Sequence, residues 1–524
     1  MTSDRKRVWA TLSLSIYVAG SLYFLYLNRL GDRDLWGSHE ARAGQNAQRI
    51  LDTGDWSVPR LFDGTPEFQK PPMYYWCVAA VGWIRGSVDA VAVRLPATLS
   101  ALACIGLVFA FLAVRGRLRA GFVAAVVLAT AQHFTWIGRT GRIDLALTLT
   151  TTVAIVSLWR PSSWRIALIG YFAIATGIML KGPLGAILPG VVLLFDRVIS
   201  LLRARLVETD GPDWSSLRWG LPLVVSLSVP WFAYAHSATN GDFTRVFFWY
   251  HHVQRATGGS EALASHPWWF YAVRLAVDWL PWSPLFLLAG WRFLRSSEFQ
   301  ADRAAQLGLA WLMGIAVLLS LSRFKRADYL LPAYPGAAIW LGCWAERLPE
   351  TLVRRSAIGA LAICSLAWAV SLRTIVVDLD ADREKRTFAT EIRALAPRPQ
   401  QILMFRVEDH LLAFHLGRPV NTFLEWENLN TWVGRPGERY VVMPADCALV
   451  WRSYISTGCL DEVARWTDRT ERSRPRDLVL VRTRNDLPNP NDHASNRPSK
   501  VLARPAELTT TGSQRSGDVG DDHQ

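Results

Sequence analysis

Charged residues are scarce in this chain: Asp, Glu, Lys and Arg make up 19% of its 524 residues. A soluble protein of this length is expected to divide into two to four domains and to hold about a quarter of charged residues. In their place, 51% of the chain is hydrophobic and 25 residues are Trp. Apolar runs close to the ~20 residues that cross a bilayer recur as far as about Val376. The sequence therefore predicts an all-α polytopic membrane protein.

Three further features are missing. The chain has no Gly-rich nucleotide loop such as a P-loop, which disfavours a soluble nucleotide donor. Its six Cys are scattered without metal-site spacing; only Cys447 and Cys459, in a polar stretch, could pair if that stretch is extracytoplasmic. No small-x-small cleavage site follows the first apolar run, Val8 to Leu27, so we interpret this run as an uncleaved anchor.

The apolar runs predict about eleven spans, with a range of about 11–13. Arg residues between alternate spans indicate the cytoplasmic side, and the net charge of +13 then reflects the positive-inside rule rather than nucleic acid binding. Tyr74 to Ile84 is short for a crossing and is predicted to lie on the outer surface. The predicted spans are 8–27, 91–113, 119–137, 143–159, 164–180, 183–201, 218–236, 269–291, 305–321, 328–345 and 355–376.

An odd number of spans places the chain after Val376 outside the cell. There, charged residues become more frequent and short β-like runs appear at Ile402–Val407, Tyr440–Met443 and Leu478–Val481. The predicted domains are a transmembrane domain (1–376) with a first outer loop (28–90), a small C-terminal extracytoplasmic α/β domain (377–484) and a disordered tail (485–524).

The first outer loop carries three candidate functional residues. The carboxylate of Glu40, next to His39, has the chemistry of a general base or a metal ligand, and it also suits the cap of a helix. Lys70 precedes two prolines, which extend the chain and aim its ammonium group. The alternative for Lys70 is a snorkelling lysine at the start of a helix.

Cations at the outer ends of later spans point to an anionic ligand. Asp144 lies one residue inside an apolar span, where an ionised side chain costs roughly 2.5 kcal/mol or more unless it is paired. The nearby pairing candidates are Arg139 and Arg142, and a purely structural ion pair is the alternative. Phosphate is the anion that Arg and Lys side chains bind best. Contact with lipid head groups is the alternative explanation for these outer cations. The remaining outer cations are Lys181 and, in one short connector, Arg323, Lys325 and Arg326.

The second long outer loop contains His252, Arg255 and His266. Two His form an incomplete metal site, and interfacial His beside Trp residues is the alternative. If Glu40 or Gln69 of the first loop completed the ligand set, these residues could bind a divalent metal. The sequence alone does not identify a cofactor.

The order of several short motifs resembles a known family. HEAR, GDWSVPR, QKPP, RLP, RID, LKGPLG, PWF and YLLPAYP follow one another as in the bacterial membrane glycosyltransferases of the aminoarabinose transferase and protein O-mannosyltransferase group, which have the GT-C fold. The resemblance covers roughly residues 30–335. It implies inverting transfer of a sugar from a polyprenyl-phosphate donor, at the periplasmic face of the bacterial inner membrane, to a lipid A-like glycolipid, a polymer or a protein.

The resemblance also implies roles for individual residues. Glu40, Lys70, Asp144 and Lys181 match acidic and basic positions of the family motifs, and Tyr329 and Tyr334 fall in its last conserved loop. Two positions depart from the pattern. His39 stands where the family has an aspartate thought to act as base, and Gln69 stands where a metal-contacting glutamate is found.

Two other functions stay open at this point. A transporter or flippase for a lipid-phosphate sugar would use the same cavity without chemistry, although the internal symmetry common in transporters is missing. A catalytically dead scaffold is the second, because of His39 and Gln69. All three interpretations share membrane lipids as surroundings, and none involves nucleic acid.

Overall fold

The computed structural model describes residues 3–204, 214–254, 266–469 and 477–484. The chain forms two compact units. We call the first, comprising Met1–Arg33, Ala43–Leu61 and Thr65–Asp378, the helical unit. The second, comprising Asp34–Arg42, Phe62–Gly64 and the described residues from Leu379 onward, is the sheet unit. The predicted tail, 485–524, and Arg255 lie outside the described residues.

The helical unit is built from long apolar helices whose ends are set by local chemistry. Ala90–Ala113 begins where the side chain of Asp89 accepts the backbone N–H of Ala92 at 2.8 Å. The described helices of this unit are Ser3–Leu22 with a π-helical extension Tyr23–Leu27, Gly37–Thr53 (which begins in the sheet unit), Met73–Arg85, Ala90–Ala113, Leu118–Thr130, Gln132–Ile137, Ile143–Leu158, Trp164–Lys181, Leu184–Ala204, Leu217–Ala238, Asp242–Thr244, the π-helix Arg245–Gln254, Phe270–Asp278, Ser283–Arg295, Ser297–Ala301, Arg303–Ser320, Tyr334–Ala345, Glu350–Ser371 and Ile375–Ala381 (which ends in the sheet unit), with 3₁₀ turns at Trp214–Ser216 and Ala327–Ala333.

Among the described residues, five helices are long and apolar enough to cross a membrane, or six if one bent pair counts as a single span. The five are Ala90–Ala113, Trp164–Lys181, Leu184–Leu202, Arg303–Ser320 and Glu350–Ala381, and three shorter apolar helices cover Thr11–Leu27, Leu118–Thr130 and Ile143–Leu158. Length and composition thus support a membrane protein, and the total of eleven crossings stays a prediction.

Several predicted spans are not continuous α-helices, and three of them are interrupted beside polar residues. The predicted span 119–137 breaks at Ala131, which is extended between two helices. The predicted span 269–291 bends by 113° between Asp278 and Ser283, where Pro281 cannot donate a backbone hydrogen bond. The predicted span 328–345 begins as 3₁₀ turns and becomes α-helical only at Tyr334.

Polar clusters lie at both ends of one group of helices. Tyr334–Ala345 packs against both Leu118–Thr130 and Arg303–Ser320. At one end, the guanidinium of Arg117 donates to Asp302 at 2.9 Å and to Glu346 at 2.8 Å. At the opposite end, the ring of His133 lies between Asp328 and Tyr334. A layer of buried apolar side chains separates the two clusters.

The sheet unit contains a five-stranded mixed sheet in the order β2-β1-β3-β5-β4. Strand β1 pairs in parallel with β2 and β3, whereas β5 is antiparallel to β3 and β4, and β4 has a bulge between Glu462 and Ala464. The strands are β1 Ile402–Phe405, β2 Asn421–Phe423, β3 Tyr440–Pro444, β4 Cys459–Trp466 and β5 Leu478–Arg484; the helices are Arg386–Leu395, His410–Leu416, Trp426–Val433 and Ala445–Val450, with a 3₁₀ turn at Trp451–Ser453.

Helices cover both faces of the sheet. Because successive residues of a strand point to opposite sides, neighbouring side chains pack into different cores. Met404 packs in one core with Phe388 and Leu412. Leu403, its neighbour, packs in a second core with Leu429 and Val433. The three β-like runs of the sequence coincide with β1, β3 and β5, while β2 and β4 had no comparable signal. Cys447 and Cys459 are both free thiols.

Candidate functional site

A buried ion pair joins two predicted site residues of the helical unit. The Nζ atom of Lys181 lies 2.6 Å from Oδ1 of Asp144, and both side chains are buried. Asp144 is the second residue of Ile143–Leu158, and Lys181 ends Trp164–Lys181. Gly182 follows with φ of +62°, a conformation that favours glycine and turns the chain back toward the next helix.

A close helix contact fixes the position of this lysine. A Cβ atom added to Gly185 would lie 2.1 Å from the backbone carbon of Gly177, so the two helices touch through their main chains. Only glycine permits such an approach. The turn that carries Lys181 is therefore held between two packed helices.

The pair extends into a network of alternating charge. Arg142 lies between two carboxylates, with Nε 3.6 Å from Oδ2 of Asp144 and a terminal nitrogen 2.7 Å from Oδ2 of Asp328. Arg326 adds a second cation 3.8 Å from Asp328. The ammonium of Lys181 also lies 4.3 Å from the centre of the Tyr329 ring, within cation–π distance. Four predicted site residues, Asp144, Lys181, Arg142 and Tyr329, thus belong to one connected set of contacts that reaches Asp328 through Arg142.

His133 connects this network to a third carboxylate, that of Asp278. Its Nε2 atom lies 3.1 Å from Asp328, and its Nδ1 atom lies 3.2 Å from the hydroxyl of Tyr334 and 3.7 Å from Asp278. Asp278 in turn accepts two hydrogen bonds from Arg274, at 2.6 and 2.9 Å. We call the set Lys181, Asp144, Arg142, Asp328, His133, Tyr334, Asp278 and Arg274 the ionic network.

Sequence reasoning missed His133, Asp278 and Asp328. Each lies at an interruption of a predicted span: after the break at Ala131, at the 113° bend and in the 3₁₀ turns. Ionisable residues inside apolar stretches are rare and mostly functional or paired. That rule, which singled out Asp144, could also have singled out these three.

Arg139 does not pair with Asp144, which corrects one of the two pairing candidates. Its guanidinium instead donates to the backbone carbonyls of Leu25 and Asn28. Arg33 donates to the carbonyl of Arg139 at 2.9 Å, and Arg94 donates to the carbonyl of Leu30. These interactions tie the first helix to the connector before Ile143–Leu158.

The other predicted cations of the helical unit lie in two loops. Lys325 is buried and donates to the carbonyl of His266 at 3.0 Å, while the backbone N–H of His266 donates to the carbonyl of Arg323. The structure thus brings His266 to the predicted cationic connector. Lys70 is half-buried, and the backbone N–H of Gln69 donates to the carboxylate of Glu67 at 2.8 Å.

The predicted metal ligands do not form a described cluster of acids, Cys and His. Where side chains are described, no group of three or more His, Cys, Asp or Glu could hold a metal ion. The side chain of His252 is not among them, so a site with His266 and Gln69 stays a prediction.

Glu40 and His39 belong to the sheet unit. Glu40 is buried, and its Oε2 atom accepts the backbone N–H of Trp36 at 2.6 Å. Trp36 immediately precedes Gly37–Thr53, so this contact has the geometry of a helix cap. The capping alternative is therefore realised for one oxygen of Glu40.

Comparison with known proteins places these features in a class. A family model described as dolichyl-phosphate-mannose-protein mannosyltransferase matches residues 69–231. The crystal structure of ArnT from Cupriavidus metallidurans bound to undecaprenyl phosphate is similar with a TM-score of 0.76 at 19% identity, covering 90% of this chain and 98% of that one. The oligosaccharyltransferase of Archaeoglobus fulgidus in its apo form gives 0.52 at 14% identity, with 85% and 71% covered. The chain has the fold of a membrane glycosyltransferase of the GT-C class.

Relatives in sequence narrow the class further. The undecaprenyl phosphate-alpha-4-amino-4-deoxy-L-arabinose arabinosyl transferase of Pectobacterium carotovorum is 30% identical over 62% of this chain and 57% of its own length. The same-named protein of Pseudomonas aeruginosa LESB58 is 31% identical over 67% and 61%. The chain thus matches about three fifths of the length of these relatives. The predicted resemblance to the aminoarabinose transferase and protein O-mannosyltransferase group is confirmed.

Proposed function

We propose that this protein is an integral-membrane glycosyltransferase that moves a sugar from a polyprenyl-phosphate donor to an acceptor. The observation that carries the proposal is the buried ion pair of Lys181 and Asp144, continued through Arg142 to Asp328. The relatives in sequence are named for a donor of the same chemical class, undecaprenyl phosphate linked to an aminopentose. That donor is therefore the first to test, with a lipid A-like glycolipid ahead of polymer or protein as acceptor.

The network suits a phosphate because its cations are held in place by carboxylates. Asp144 and Asp328 position Lys181 and Arg142 side by side before any donor arrives. Preorganised cations in a poorly hydrated site stabilise the charge that develops on a leaving phosphate, and they need no reorganisation during the reaction. Arg contributes paired N–H donors, whereas Lys contributes a point charge.

The second requirement is a base for the acceptor. Removal of the acceptor's proton by a carboxylate makes its oxygen nucleophilic, and attack on the sugar from the face opposite the phosphate inverts the anomeric carbon. We assign this role to Glu40, with His39 beside it in the sequence. The side chain of Glu40 is buried, and its contact with Trp36 restricts the rotation of the carboxylate.

The positions of several arginines indicate how the protein is oriented in the membrane. Arg117 and Arg347 lie at the end of the helical unit opposite the ionic network, and Arg303 follows Asp302 there. The positive-inside rule assigns that end to the cytoplasm. We therefore place the ionic network at the periplasmic side of the bacterial inner membrane, with about eleven crossings and the sheet unit in the periplasm.

The decisive experiment uses the purified full chain in detergent with undecaprenyl phosphate-4-amino-4-deoxy-L-arabinose and lipid A. We expect Asp144→Asn to abolish transfer while the protein remains folded. Asp302→Asn is the matched control, because it breaks a similar ion pair with Arg117 and Arg347 at the opposite end; we expect it to retain turnover.

Normal turnover in both Asp144→Asn and Glu40→Gln would refute the proposed mechanism. If the wild-type protein binds undecaprenyl phosphate but transfers no sugar to any acceptor class, a transporter or a scaffold takes the place of the enzyme.

A further inference from the structure

The segment that carries Glu40 is fixed to the C-terminal part of the sheet unit by one buried carboxylate. Asp34 has no exposed surface. Its oxygens accept hydrogen bonds from Nε2 of His415 at 2.8 Å and from Nε of Arg386 at 3.2 Å. They also accept the backbone N–H groups of Leu35 and Lys385. Four donors thus surround a charge that would be costly to bury alone.

The backbone and neighbours of Asp34 add a second set of contacts. The N–H of Asp34 donates to both carboxylate oxygens of Asp380, at 2.9 and 3.1 Å, and the indole N–H of Trp36 donates to the same group at 2.7 Å. The guanidinium of Arg383 lies 4.9 Å from the centre of the Trp36 ring. Asp34 and Trp36, which precede Gly37–Thr53, are therefore held by residues 380–386.

These contacts lead directly to the proposed base. The backbone N–H of Trp36 donates to Oε2 of Glu40 at 2.6 Å. Trp36 is itself fixed by Asp380, and Asp34 is fixed by His415. The direction of the Glu40 carboxylate thus depends on a sequence of contacts that begins more than 340 residues later in the chain.

Burial makes the contact with His415 more than a surface ion pair. The pKa of Asp34 is lowered below its ordinary value: burial acts to raise it, but the hydrogen bond from His415 and the charges of His415 and Arg386 prevail. The folded protein therefore favours the ionised carboxylate. Exposed ion pairs contribute little, whereas a buried, multiply bonded carboxylate holds its partners in a single geometry.

We infer that Asp34 and His415 are positioning residues for Glu40, through which the C-terminal part of the chain sets the aim of the proposed base. The inference rests on the proposed function, and it assigns to residues 379–484 a part in turnover rather than in donor binding. Misplacement of a reacting group by about 1 Å costs on the order of a hundredfold in rate. Donor affinity should change little, because Lys181 and Arg142 belong to the helical unit.

The test compares Asp34→Asn, His415→Gln and the double variant in the full chain, with undecaprenyl phosphate-4-amino-4-deoxy-L-arabinose and lipid A. We expect kcat to fall at least about tenfold in each single variant, with the KM for donor within about twofold of wild type. The double variant should lose no more than the worse single variant, because both substitutions remove the same contact.

His410→Gln is the matched control. His410 lies in the same helix, His410–Leu416, but faces Glu408 at 3.2 Å, and we expect it to leave kcat unchanged. If Asp34→Asn does not fold, His415→Gln decides alone, since it removes one donor to Asp34.

Three outcomes are distinguishable. A kcat loss at constant KM supports the inference. Unchanged kcat in His415→Gln, with Glu40→Gln inactive, overturns the inference and leaves the proposed function intact. Normal turnover in Glu40→Gln removes the base itself, and with it both the assigned role and the inference.

Discussion

Lys181 and Asp144 form a buried ion pair with a nitrogen–oxygen distance of 2.6 Å, although 37 residues separate them in the chain. Asp144 lies at the beginning of one apolar helix and Lys181 at the end of another, and these two helix ends are adjacent in the helical unit. Either charge would be costly there without a partner. The pair is therefore both a structural requirement and the centre of the proposed donor site, and the two roles can be separated by experiment.

Lys181→Met should destabilise the protein by about 3–5 kcal/mol, because it leaves the buried carboxyl group of Asp144 without its closest partner. The double variant Lys181→Met with Asp144→Leu should recover most of this loss while remaining inactive. Thermal unfolding in detergent, measured together with transfer, checks both statements. A double variant as unstable as the single one would show that the pair is not the source of the loss.

Undecaprenyl phosphate should raise the unfolding temperature of the protein. A ligand at a hundred times its dissociation constant stabilises the native state by about 2.7 kcal/mol. In Arg142→Gln, the concentration of undecaprenyl phosphate that gives the same shift should rise at least about tenfold, since Arg142 is a proposed phosphate contact. Undecaprenol, which lacks the phosphate, is the matched ligand, and equal shifts with both would argue against a phosphate site.

Gly185→Ala should lower stability by about 1–3 kcal/mol, because the new Cβ would collide with the backbone of Gly177 and force two helices apart. Undecaprenyl phosphate binding should weaken in parallel, since the turn that carries Lys181 moves. Gly190→Ala lies in the same helix with nothing within 4 Å of its added Cβ. It should be neutral or slightly stabilising, and equal losses in the two variants would contradict the packing argument.

The contribution of Asp34 to the stability of the protein should depend on pH. Its pKa is lowered in the folded protein, where the contacts from His415 and Arg386 outweigh burial. Its stabilisation is therefore complete above the ordinary carboxyl pKa of about 3.9 and is lost as pH falls through the lower folded value. The difference in melting temperature between wild type and Asp34→Asn should be full at about pH 6 and shrink below about pH 4. A difference that grows on acidification would reverse the sign of this linkage.

Metal removal tests the predicted ligands His252, His266 and Gln69. Gln69 offers a neutral amide, and neutral oxygens bind divalent ions more weakly than a carboxylate does. We expect dialysis against EDTA to leave the transfer rate within about twofold. A loss that Mg²⁺, Mn²⁺ or Zn²⁺ restores, and that His266→Ala reproduces, would establish the metal site.

The part of the site that sequence alone could predict consists of charges at the ends of uninterrupted apolar runs. Asp144 and Lys181 stand out because the residues beside them in their helices are apolar. His133 and Asp328 lie where helices break, and the apolar runs hide those breaks. No local rule distinguishes Arg139 from Arg142. Only the folded chain shows that the guanidinium of Arg139 donates to the carbonyls of Leu25 and Asn28.

The sheet unit illustrates the same limit at longer range. Strands β1 and β3 and the first four residues of β5, Leu478–Val481, are apolar runs and could be recognised, because both of their faces are covered. β4 alternates partly and carries charges, and β2 is three residues long. The contact between Asp34 and His415 joins residues 381 positions apart, which no pattern in a single sequence specifies.

The bulge in β4 has a consequence for assembly. The rims of the sheet are β2 and β4; the first is too short to template another strand, and the second is kinked and bears the ion pair of Arg465 with Glu462. An exposed edge strand can pair with a strand of another molecule, and bulges and charged side chains on the edge prevent such pairing. In the part of the chain that the structure describes, neither rim therefore offers a long, straight and uncharged strand to which a second molecule could add.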